Sequence, residues 1–172
     1  MYRAKSVAVV IPCFNEEVLI RRVLRELPAF VDKVFVINDA SSDATSQSVL
    51  TTIPDLTFPV ELIEHPRNQG VGAAIASGYK RARDEAFDIA VVVAGDAQMD
   101  PADMPAILDP VALDEADYSK GNRLFTGDAW NMIPKLRYLG NSALSLLTKI
   151  ASGYWHVADS QSGYTAINLK AL

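Results

Sequence analysis

Four short apolar runs, separated by segments with helical spacing, limit this chain to one class of fold. The runs are rich in Val and Ile and are apolar at consecutive positions, as strands buried on both faces of a parallel sheet are. Strands that alternate with helices in this way are typical of an α/β domain. We therefore predict a mostly parallel central sheet flanked by helices, arranged as a three-layer sandwich. The predicted strands are Ser6–Ile11, Lys33–Asn38, Val60–Glu64 and Ile89–Ala94.

The segments between these runs carry apolar residues three and four positions apart, which predicts amphipathic helices. The first is expected over Glu16–Leu27, with Asn15 as its N-cap, because a side-chain oxygen there can accept the free N–H groups of the first turn. Asp100 followed by Pro101 predicts another helix start. The other expected elements are helices from Ser42, from Val71, over Pro101–Leu108 and over Leu136–Tyr154, and strands over Tyr118–Asn122 and Tyr164–Leu169.

Length, charge and cysteine content exclude several classes of protein. A chain of 172 residues with no repeat and no Gly/Ser linker fits a single domain over residues 1–172, and 49% hydrophobic residues exclude a disordered chain. The net charge of −5 argues against a nucleic-acid partner. The lone Cys13 excludes an internal disulfide and favours an intracellular protein. No apolar stretch approaches the ~20 residues of a membrane-spanning helix.

Polar residues follow each predicted strand, and this is where an open α/β sheet binds its ligands. The four segments are Pro12–Glu16, Asn38–Asp43, His65–Gly70 and Gly95–Asp100. A purely structural interpretation, in which Asn15, Ser42 and Asp100 only cap helices, stays open for each segment taken alone. Four polar strand ends together indicate a ligand site at one edge of the sheet.

The third of these segments contains a glycine pair that resembles the start of a dinucleotide-binding loop. Gly70 and Gly72 have the right spacing, but Ile75 occupies the position of the third glycine, and the loop follows the third strand instead of the first. A dinucleotide-binding fold is therefore not favoured. We interpret these glycines as turn and packing residues.

The segment after the fourth strand is rich in oxygen ligands. Asp96, Gln98 and Asp100 could hold Mg²⁺ or Mn²⁺ together with the phosphates of a substrate, although Asp100 can equally cap the next helix. Later in the chain, Arg123 and Arg137 offer guanidinium groups whose planar fork suits phosphate. The oxygen ligands after the fourth strand, together with these two arginines, therefore predict a divalent cation beside a phosphorylated ligand.

Six motifs in the same order give the chain a resemblance to family-2 glycosyltransferases of the GT-A fold. It is most similar to the branch that contains dolichyl-phosphate mannose synthases and other polyprenyl-phosphate glycosyltransferases. Val10–Glu17 resembles the "IPxYNE" start of that family, Asn38–Thr45 its "DDxSxDxT" segment, and Asn68–Ala74 its "NxGxGxA" helix. The remaining three motifs are Asp96–Pro101, Gly121–Arg123 and Asp159–Tyr164.

The resemblance implies a nucleotide-diphosphate-sugar donor and assigns roles to individual residues. Substrate-binding candidates are Pro12, Asn15, Glu16, Asp39, Asn68, Gly95 and Asp96, with Asp39 expected at the base or ribose. Asp96 and Gln98 would bind Mg²⁺ or Mn²⁺. Arg123 and Arg137 would hold the acceptor phosphate, and Asp159 would lie near the reaction centre; these three are the catalytic candidates.

Two positions depart from the family pattern. Ala94 stands where the metal motif usually has its first acid, and Asn38 where the second-strand pair has its first acid. One fewer carboxylate predicts weaker metal binding, so that either the ion depends on the donor's phosphates or the enzyme needs little metal.

The expected function is that of an inverting glycosyltransferase that moves a sugar from GDP-mannose or a UDP-sugar to a polyprenyl phosphate. Three alternatives stay open: transfer to a sugar hydroxyl in cell-wall or polysaccharide synthesis, with Asp159 as general base; a nucleotide-sugar-binding module without activity; and a nucleotidyltransferase, which lacks support from an early basic, Gly-rich phosphate loop. We expect the chain to be the catalytic domain of a longer protein that acts at the cytoplasmic face of a membrane, with C-terminal segments that contact the lipid.

Overall fold

The computed structural model describes residues 1–121, 150, 163–168 and 171 of the chain. Contacts divide the chain into two compact units, one of Met1–Ser119 with Tyr164–Leu172 and the other of Lys120–Gly163. The central sheet and its helices lie almost entirely in the first unit.

Strands and helices alternate as the hydropathy pattern predicts. The strands are β1 (Val7–Cys13), β2 (Lys33–Asn38), β3 (Val60–Glu64), β4 (Ile89–Val92), β5 (Tyr118–Lys120) and β6 (Thr165–Asn168). The helices are α1 (Ile20–Glu26), α2 (Thr45–Thr52), α3 (Val71–Asp84) and α4 (Met104–Ala112), with short 3-10 turns at Ile53–Asp55 and Pro101–Asp103.

The six strands form one sheet in the order β3-β2-β1-β4-β6-β5. β1 pairs in parallel with β2 on one side and with β4 on the other, and β2 pairs in parallel with β3. β6 runs antiparallel to β4. The chain therefore builds outward from β1 in one direction and returns to its other side with β4, which creates a crevice between the carboxyl ends of β1 and β4.

Both faces of the sheet are buried, because alternate residues of each strand point to opposite sides. On one face, Val7, Val9 and Ile11 pack with residues of α1, α2 and α4. On the other face, Ala8 and Val10 belong to a separate cluster that includes two residues of α3. The layers are thus helices, sheet and helix, and the predicted three-layer α/β fold is confirmed.

Several helix boundaries differ from the sequence prediction. Asn15 does not cap α1, which begins only at Ile20 with no side-chain cap. The backbone of Asn15 is left-handed, with φ of 59°, and its side-chain oxygen accepts from the backbone N–H of Ser42 instead. A residue committed to that loop contact cannot start a helix, so the prediction over Glu16–Leu27 was too long.

The other boundaries shift by a few residues. α2 begins at Thr45 instead of Ser42. α4 continues past Leu108 to Ala112 despite Pro110, because Val111 and Ala112 are buried on the same face. The prediction for Asp100 holds, since its carboxylate accepts from the Ala102 N–H at 2.8 Å. In the part of the chain that the structure describes, no helix combines the length and apolar character needed to cross a membrane.

The packing of α3 on the sheet depends on the absence of a side chain at Gly78. A Cβ there would lie 2.2 Å from Val10 Cγ1 and 3.0 Å from Ile37 Cδ1, so Gly78→Ala should lower the free energy of unfolding by about 1–3 kcal/mol. A Cβ added at Gly72, in the same helix, would meet no atom within 4 Å. Gly72→Ala should therefore raise the free energy of unfolding by about 0.5–1 kcal/mol through helix propensity.

Urea unfolding of the two variants beside the wild type measures both effects. Equal stability changes in the two variants would contradict the proposed close contact of Gly78 with β1 and β2.

Candidate functional site

A cavity of about 320 Å³ lies at the carboxyl ends of the parallel strands. Its wall comes from the loops after β1, β2 and β4 and from the loop that leads into α3. Every predicted substrate-binding residue except Asn15 lines it. The lining residues are Pro12, Cys13, Phe14, Glu16, Asp39, Asn68, Gly70, Val71, Ala74, Ala94, Gly95 and Asp96.

A larger open groove of about 640 Å³ runs along α1 and the segment Ala97–Ala102. It contains Gln98 and Asp100 but none of the residues at the ends of β1 and β2. The smaller cavity is the better candidate for a ligand site, because four separate chain segments converge on it at the crevice that the sheet topology creates.

The loops after β1 and β2 are joined by hydrogen bonds instead of apolar packing. Asp43 is the centre of this junction, since its carboxylate accepts from the Thr45 hydroxyl at 2.5 Å, from the Thr45 N–H at 3.0 Å and from the Glu17 N–H at 3.1 Å. Burial raises the pKa of Asp43, but these hydrogen bonds outweigh that effect and hold its pKa below the usual range. An ionised Asp43 therefore fixes one loop against the other.

The hydrogen bonds of Asn38 explain why an amide stands at this position, where the family pattern has an acid. Its side chain is buried, and its oxygen accepts from the Ser41 hydroxyl and N–H, while its amide nitrogen donates to Ser46 Oγ at 2.7 Å. Ser46 in turn donates to Glu64 at 2.5 Å. An aspartate could not donate to Ser46, and it would bring a second negative charge toward Glu64. The amide therefore suits this position better than an acid.

Asp39 lines the cavity, and its carboxylate accepts hydrogen bonds from three groups of the protein. It accepts from His65 Nδ1 at 2.7 Å and from the backbone N–H groups of Gln69 and Gly70, the latter at 2.7 Å. Burial alone would raise the pKa of Asp39, but the hydrogen bonds from His65 and the two backbone groups lower it. Asp39 is therefore a buried, ionised anchor for the loop before α3.

Negative charge is concentrated where the ends of β1 and β4 approach each other. Burial raises the pKa of Glu16, and the nearby carboxylates of Asp96 and Asp43 raise it further. Asp96 uses one oxygen to accept from the Gln98 N–H at 3.1 Å. A cation at this point would relieve the repulsion between these carboxylates.

The loop after β4 lies close to the end of β1. A Cβ on the buried Gly95 would lie 2.8 Å from Cys13 Sγ, so a larger residue would force Cys13 or this loop to shift. Burial raises the pKa of the Cys13 thiol, with smaller contributions from Glu16 and Asp43. Cys13 is therefore a neutral packing residue and not a nucleophile.

Strained backbone surrounds the same edge of the sheet. Asn15, Ala40 and Ala97 all have left-handed φ angles between 56° and 59°, one residue in each of the loops after β1, β2 and β4. Such angles cost non-glycine residues free energy and persist where neighbouring contacts hold them. The cavity loops are thus held in shape by the hydrogen bonds around them.

The described residues fit a divalent cation only if a ligand supplies much of its coordination. Among them, no group of three or more His, Cys, Asp or Glu side chains is arranged to hold a metal ion. Asp96 nevertheless faces the cavity, while Gln98 lines the neighbouring groove. One or two carboxylates with substrate phosphates and water are a usual environment for Mg²⁺. This donor set fits an ion shared with a bound diphosphate.

The three predicted catalytic residues, Arg123, Arg137 and Asp159, lie outside the described residues. By contrast, the structure adds functional candidates to which the sequence pattern assigns no role, above all His65 and Asp43. Their role depends on hydrogen bonds between separate loops. The signal for His65 was its position one residue past β3, beside Asp39 one residue past β2, because Asn38 pairs with Glu64 in the parallel register.

Comparison with known proteins gives one family. Glycosyl transferase family 2 matches residues 8–172. The UDP-N-acetylglucosamine–dolichyl-phosphate N-acetylglucosaminyltransferase of Methanococcus voltae is 31% identical over 98% of this chain and 71% of its own length. The dolichol-phosphate mannosyltransferase of Pyrococcus furiosus is 26% identical over 97% of this chain and 47% of its own length. This chain thus spans only part of these relatives.

The fold has solved counterparts. Glucosyl-3-phosphoglycerate synthase from Mycobacterium tuberculosis, crystallised with Mn²⁺, UDP and glucosyl-3-phosphoglycerate, superposes with a TM-score of 0.72 at 20% sequence identity. The match covers 98% of this chain and 58% of that one. At this identity the likeness concerns the fold alone, and it confirms the expected GT-A architecture.

The junction around Asp43 predicts a pH-dependent loss of stability. Because the pKa of Asp43 is lower in the folded protein, its contribution is present above the unfolded pKa of about 4 and is lost as the pH falls through the folded pKa. Asp43→Asn should lower the free energy of unfolding by about 1–3 kcal/mol at pH 7. The difference from the wild type should shrink as the pH falls below about 4.

Chemical denaturation at several pH values measures this difference. Asp55→Asn is the matched control, since among the described residues its side chain pairs with the exposed Arg25 alone, and this variant should change the stability little. A pH-independent difference for Asp43→Asn would show that the carboxylate does not carry the junction.

Proposed function

Because the chain belongs to glycosyl transferase family 2 and is therefore a glycosyltransferase, we propose that it moves a sugar from a nucleotide-diphosphate sugar to a polyprenyl phosphate with inversion at the anomeric carbon. The observation that carries this proposal is the cavity at the ends of β1, β2 and β4, where the family's donor motifs converge. The whole protein's activity, donor and acceptor are part of the proposal.

The cavity suits a donor in its size and chemistry. Its 320 Å³ lies within the range of small-molecule sites. Exposed apolar side chains at Phe14 and Val71 stand on its wall and offer a surface for a planar base. Glu16 and Asp96 lie near each other at the ends of β1 and β4 and make that side of the cavity acidic. The diphosphate belongs on that side, where a shared cation would offset its charge.

Asp96 is the residue proposed to hold the cation, with Gln98 as a second candidate. When bound, Mg²⁺ or Mn²⁺ would stabilise the negative charge that develops on the departing diphosphate. The protein's own contribution is to fix Asp96 through the Gln98 N–H and to keep the β1 and β4 loops close through Gly95.

The proposed acceptor determines what the remaining residues need to do. The oxygen of a polyprenyl phosphate is ionised at neutral pH, so it can attack the anomeric carbon without a strong general base. Arg123 and Arg137 are proposed to bind that phosphate, and Asp159 to orient it. If the acceptor were instead a sugar hydroxyl, Asp159 would have to remove its proton.

Relatives support a lipid-linked acceptor. Both the M. voltae and the P. furiosus proteins are named for transfer to dolichyl or dolichol phosphate. The first name specifies UDP-N-acetylglucosamine and the second a mannosyl group, so a UDP-sugar and GDP-mannose are both candidate donors. Since the proposed acceptor is a lipid, the proposed location is the cytoplasmic face of a membrane.

Transfer can be tested directly with the full-length protein. UDP- and GDP-sugars are offered one at a time with a short-chain polyprenyl phosphate, and products are detected by mass spectrometry. The expected result is a glycosyl polyprenyl phosphate from one donor class. Transfer to a sugar hydroxyl only, or to no acceptor with any donor, would contradict the proposal.

Two substitutions separate donor binding from transfer. Asp96→Ala should abolish the increase in donor affinity that Mn²⁺ produces, because it removes the carboxylate proposed to hold the ion. Arg123→Ala should leave donor affinity unchanged and lower the rate of transfer by about 10- to 100-fold, the loss of one charge-assisted hydrogen-bonding group.

Calorimetry with and without Mn²⁺ gives the affinities, and product formation gives the rates. Asp103→Ala is the control for Asp96, since Asp103 is a nearby carboxylate in the same stretch of chain that does not line the cavity. An equal loss of donor binding in the Asp96 and Arg123 variants would show that this division of roles is wrong.

A further inference from the structure

Three polar side chains from different parts of the fold form a continuous hydrogen-bonded chain that begins at Asp39 in the cavity wall. Asp39 follows β2, His65 follows β3, and Ser77 belongs to α3. His65 Nδ1 lies 2.7 Å from Asp39 Oδ1, and His65 Nε2 lies 2.9 Å from Ser77 Oγ. The His65 and Asp39 side chains are only 8% and 4% exposed. Because a carboxylate only accepts, Nδ1 of His65 must carry the proton in this contact.

The acceptor capacity of Asp39 is almost fully used by this chain and the loop before α3. Oδ1 accepts from His65 and from the Gln69 N–H at 3.0 Å. Oδ2 accepts from the Gly70 N–H at 2.7 Å and shares the Gln69 N–H at 3.1 Å. Asp39 itself lines the cavity, and through these bonds it also fixes the loop that forms one of the cavity walls.

That loop is one wall of the cavity. Asn68, Gly70 and Val71 all line it. Gly70 has φ of 88° and ψ of 158°, a conformation that is essentially restricted to glycine. Because Gly70 precedes α3, its N–H donates to the Asp39 carboxylate and to the Asn68 side chain instead of a helical carbonyl. The shape of this wall therefore depends on where Asp39 is held.

We propose that His65 is a positioning residue for the nucleotide-sugar donor: by donating to Asp39 while Ser77 fixes its ring, it sets the Asp39 carboxylate and, through it, the Gln69–Gly70 wall of the donor cavity. This inference rests on the proposed function for the identity of the ligand. It concerns a residue that does not line the cavity itself, and it gives Asp39, which does line the cavity, a second role as the anchor of the loop.

The order Asp–His–Ser is also found where a serine is activated as a nucleophile, but Ser77 is not suited to that role. It lies inside α3, where backbone N–H groups are used by the helix and cannot stabilise an oxyanion. Ser77 also does not line the cavity. Its hydroxyl instead holds the imidazole in the orientation that Asp39 requires.

Substitutions at His65 distinguish positioning from general support of the fold. His65→Ala removes the N–H group that donates a hydrogen bond to Asp39. His65→Asn keeps one, because the Asn amide nitrogen is as many bonds from Cβ as Nδ1 of His. Ser77→Ala leaves the His65–Asp39 contact but frees the ring, and it should fall between the other two variants.

Donor affinity and turnover are measured on the full-length protein with the donor that the wild type uses. His65→Ala should raise the donor Kd and KM by about tenfold or more, the loss of a hydrogen bond to a charged group, while kcat at saturating donor stays the same. His65→Asn should restore most of the affinity. Equal weakening by both variants, a fall in kcat without a change in KM, or no change in either would overturn the proposal.

Amide hydrogen exchange tests the same inference in the absence of a nucleotide sugar. The Gln69 and Gly70 amides should exchange about tenfold faster or more in His65→Ala, and at nearly the wild-type rate in His65→Asn. If the wild type binds no nucleotide sugar, the proposed function fails, and the exchange result still decides whether His65 holds this wall. Unchanged exchange in His65→Ala would overturn its positioning role. A serine-directed fluorophosphonate that labels Ser77 would contradict the assignment of its hydroxyl.

Discussion

Parallel pairing of β1 with both β2 and β4 determines how the other elements of this domain are arranged. Because β1 is buried on both faces and has a parallel neighbour on each side, the chain must cross over from β1 to β2 and from β3 back to β4. All the loops that follow these strands then emerge at one edge. The crevice between β1 and β4, and with it the candidate donor cavity, results from this topology.

Hydrogen bonds between loops hold the walls of the cavity in place. Asp43 joins the loops after β1 and β2, and Asp39 holds the loop before α3. Both carboxylates accept several hydrogen bonds, which keep their pKa values below the usual range although Asp39 is buried and Asp43 half-buried. Left-handed residues in three of these loops indicate that the hydrogen bonds overcome local backbone strain. Such a site is preorganised before a ligand binds, which lowers the cost of binding.

The sheet and its layers could be predicted from the sequence because consecutive apolar residues encode strands buried on both faces. The strand-end rule also brought together Pro12, Glu16, Gly95 and Asp96, which do line one cavity. The start of α1 could not be predicted from its local sequence. Asparagine is a favoured N-cap residue, yet the side-chain oxygen of Asn15 accepts from the Ser42 N–H in another loop. No local sequence pattern contains that contact. His65 had only the indirect signal of its register beside Asp39, and no local pattern contains its hydrogen bonds to Asp39 and Ser77, which are distant in sequence.

Amide NMR during titration with UDP or GDP in the presence of Mg²⁺ tests whether this cavity receives the nucleoside diphosphate part of a sugar donor, as we propose. Glycine amides at Gly70 and Gly95 mark two walls of the cavity, whereas Ser6 and Asp88 mark the opposite end of β1 and β4, where they hydrogen-bond to each other. We expect saturable shifts at Gly70 and Gly95 and none at Ser6 and Asp88. Shifts confined to Ser6 and Asp88, or none with either nucleotide, would contradict the proposal.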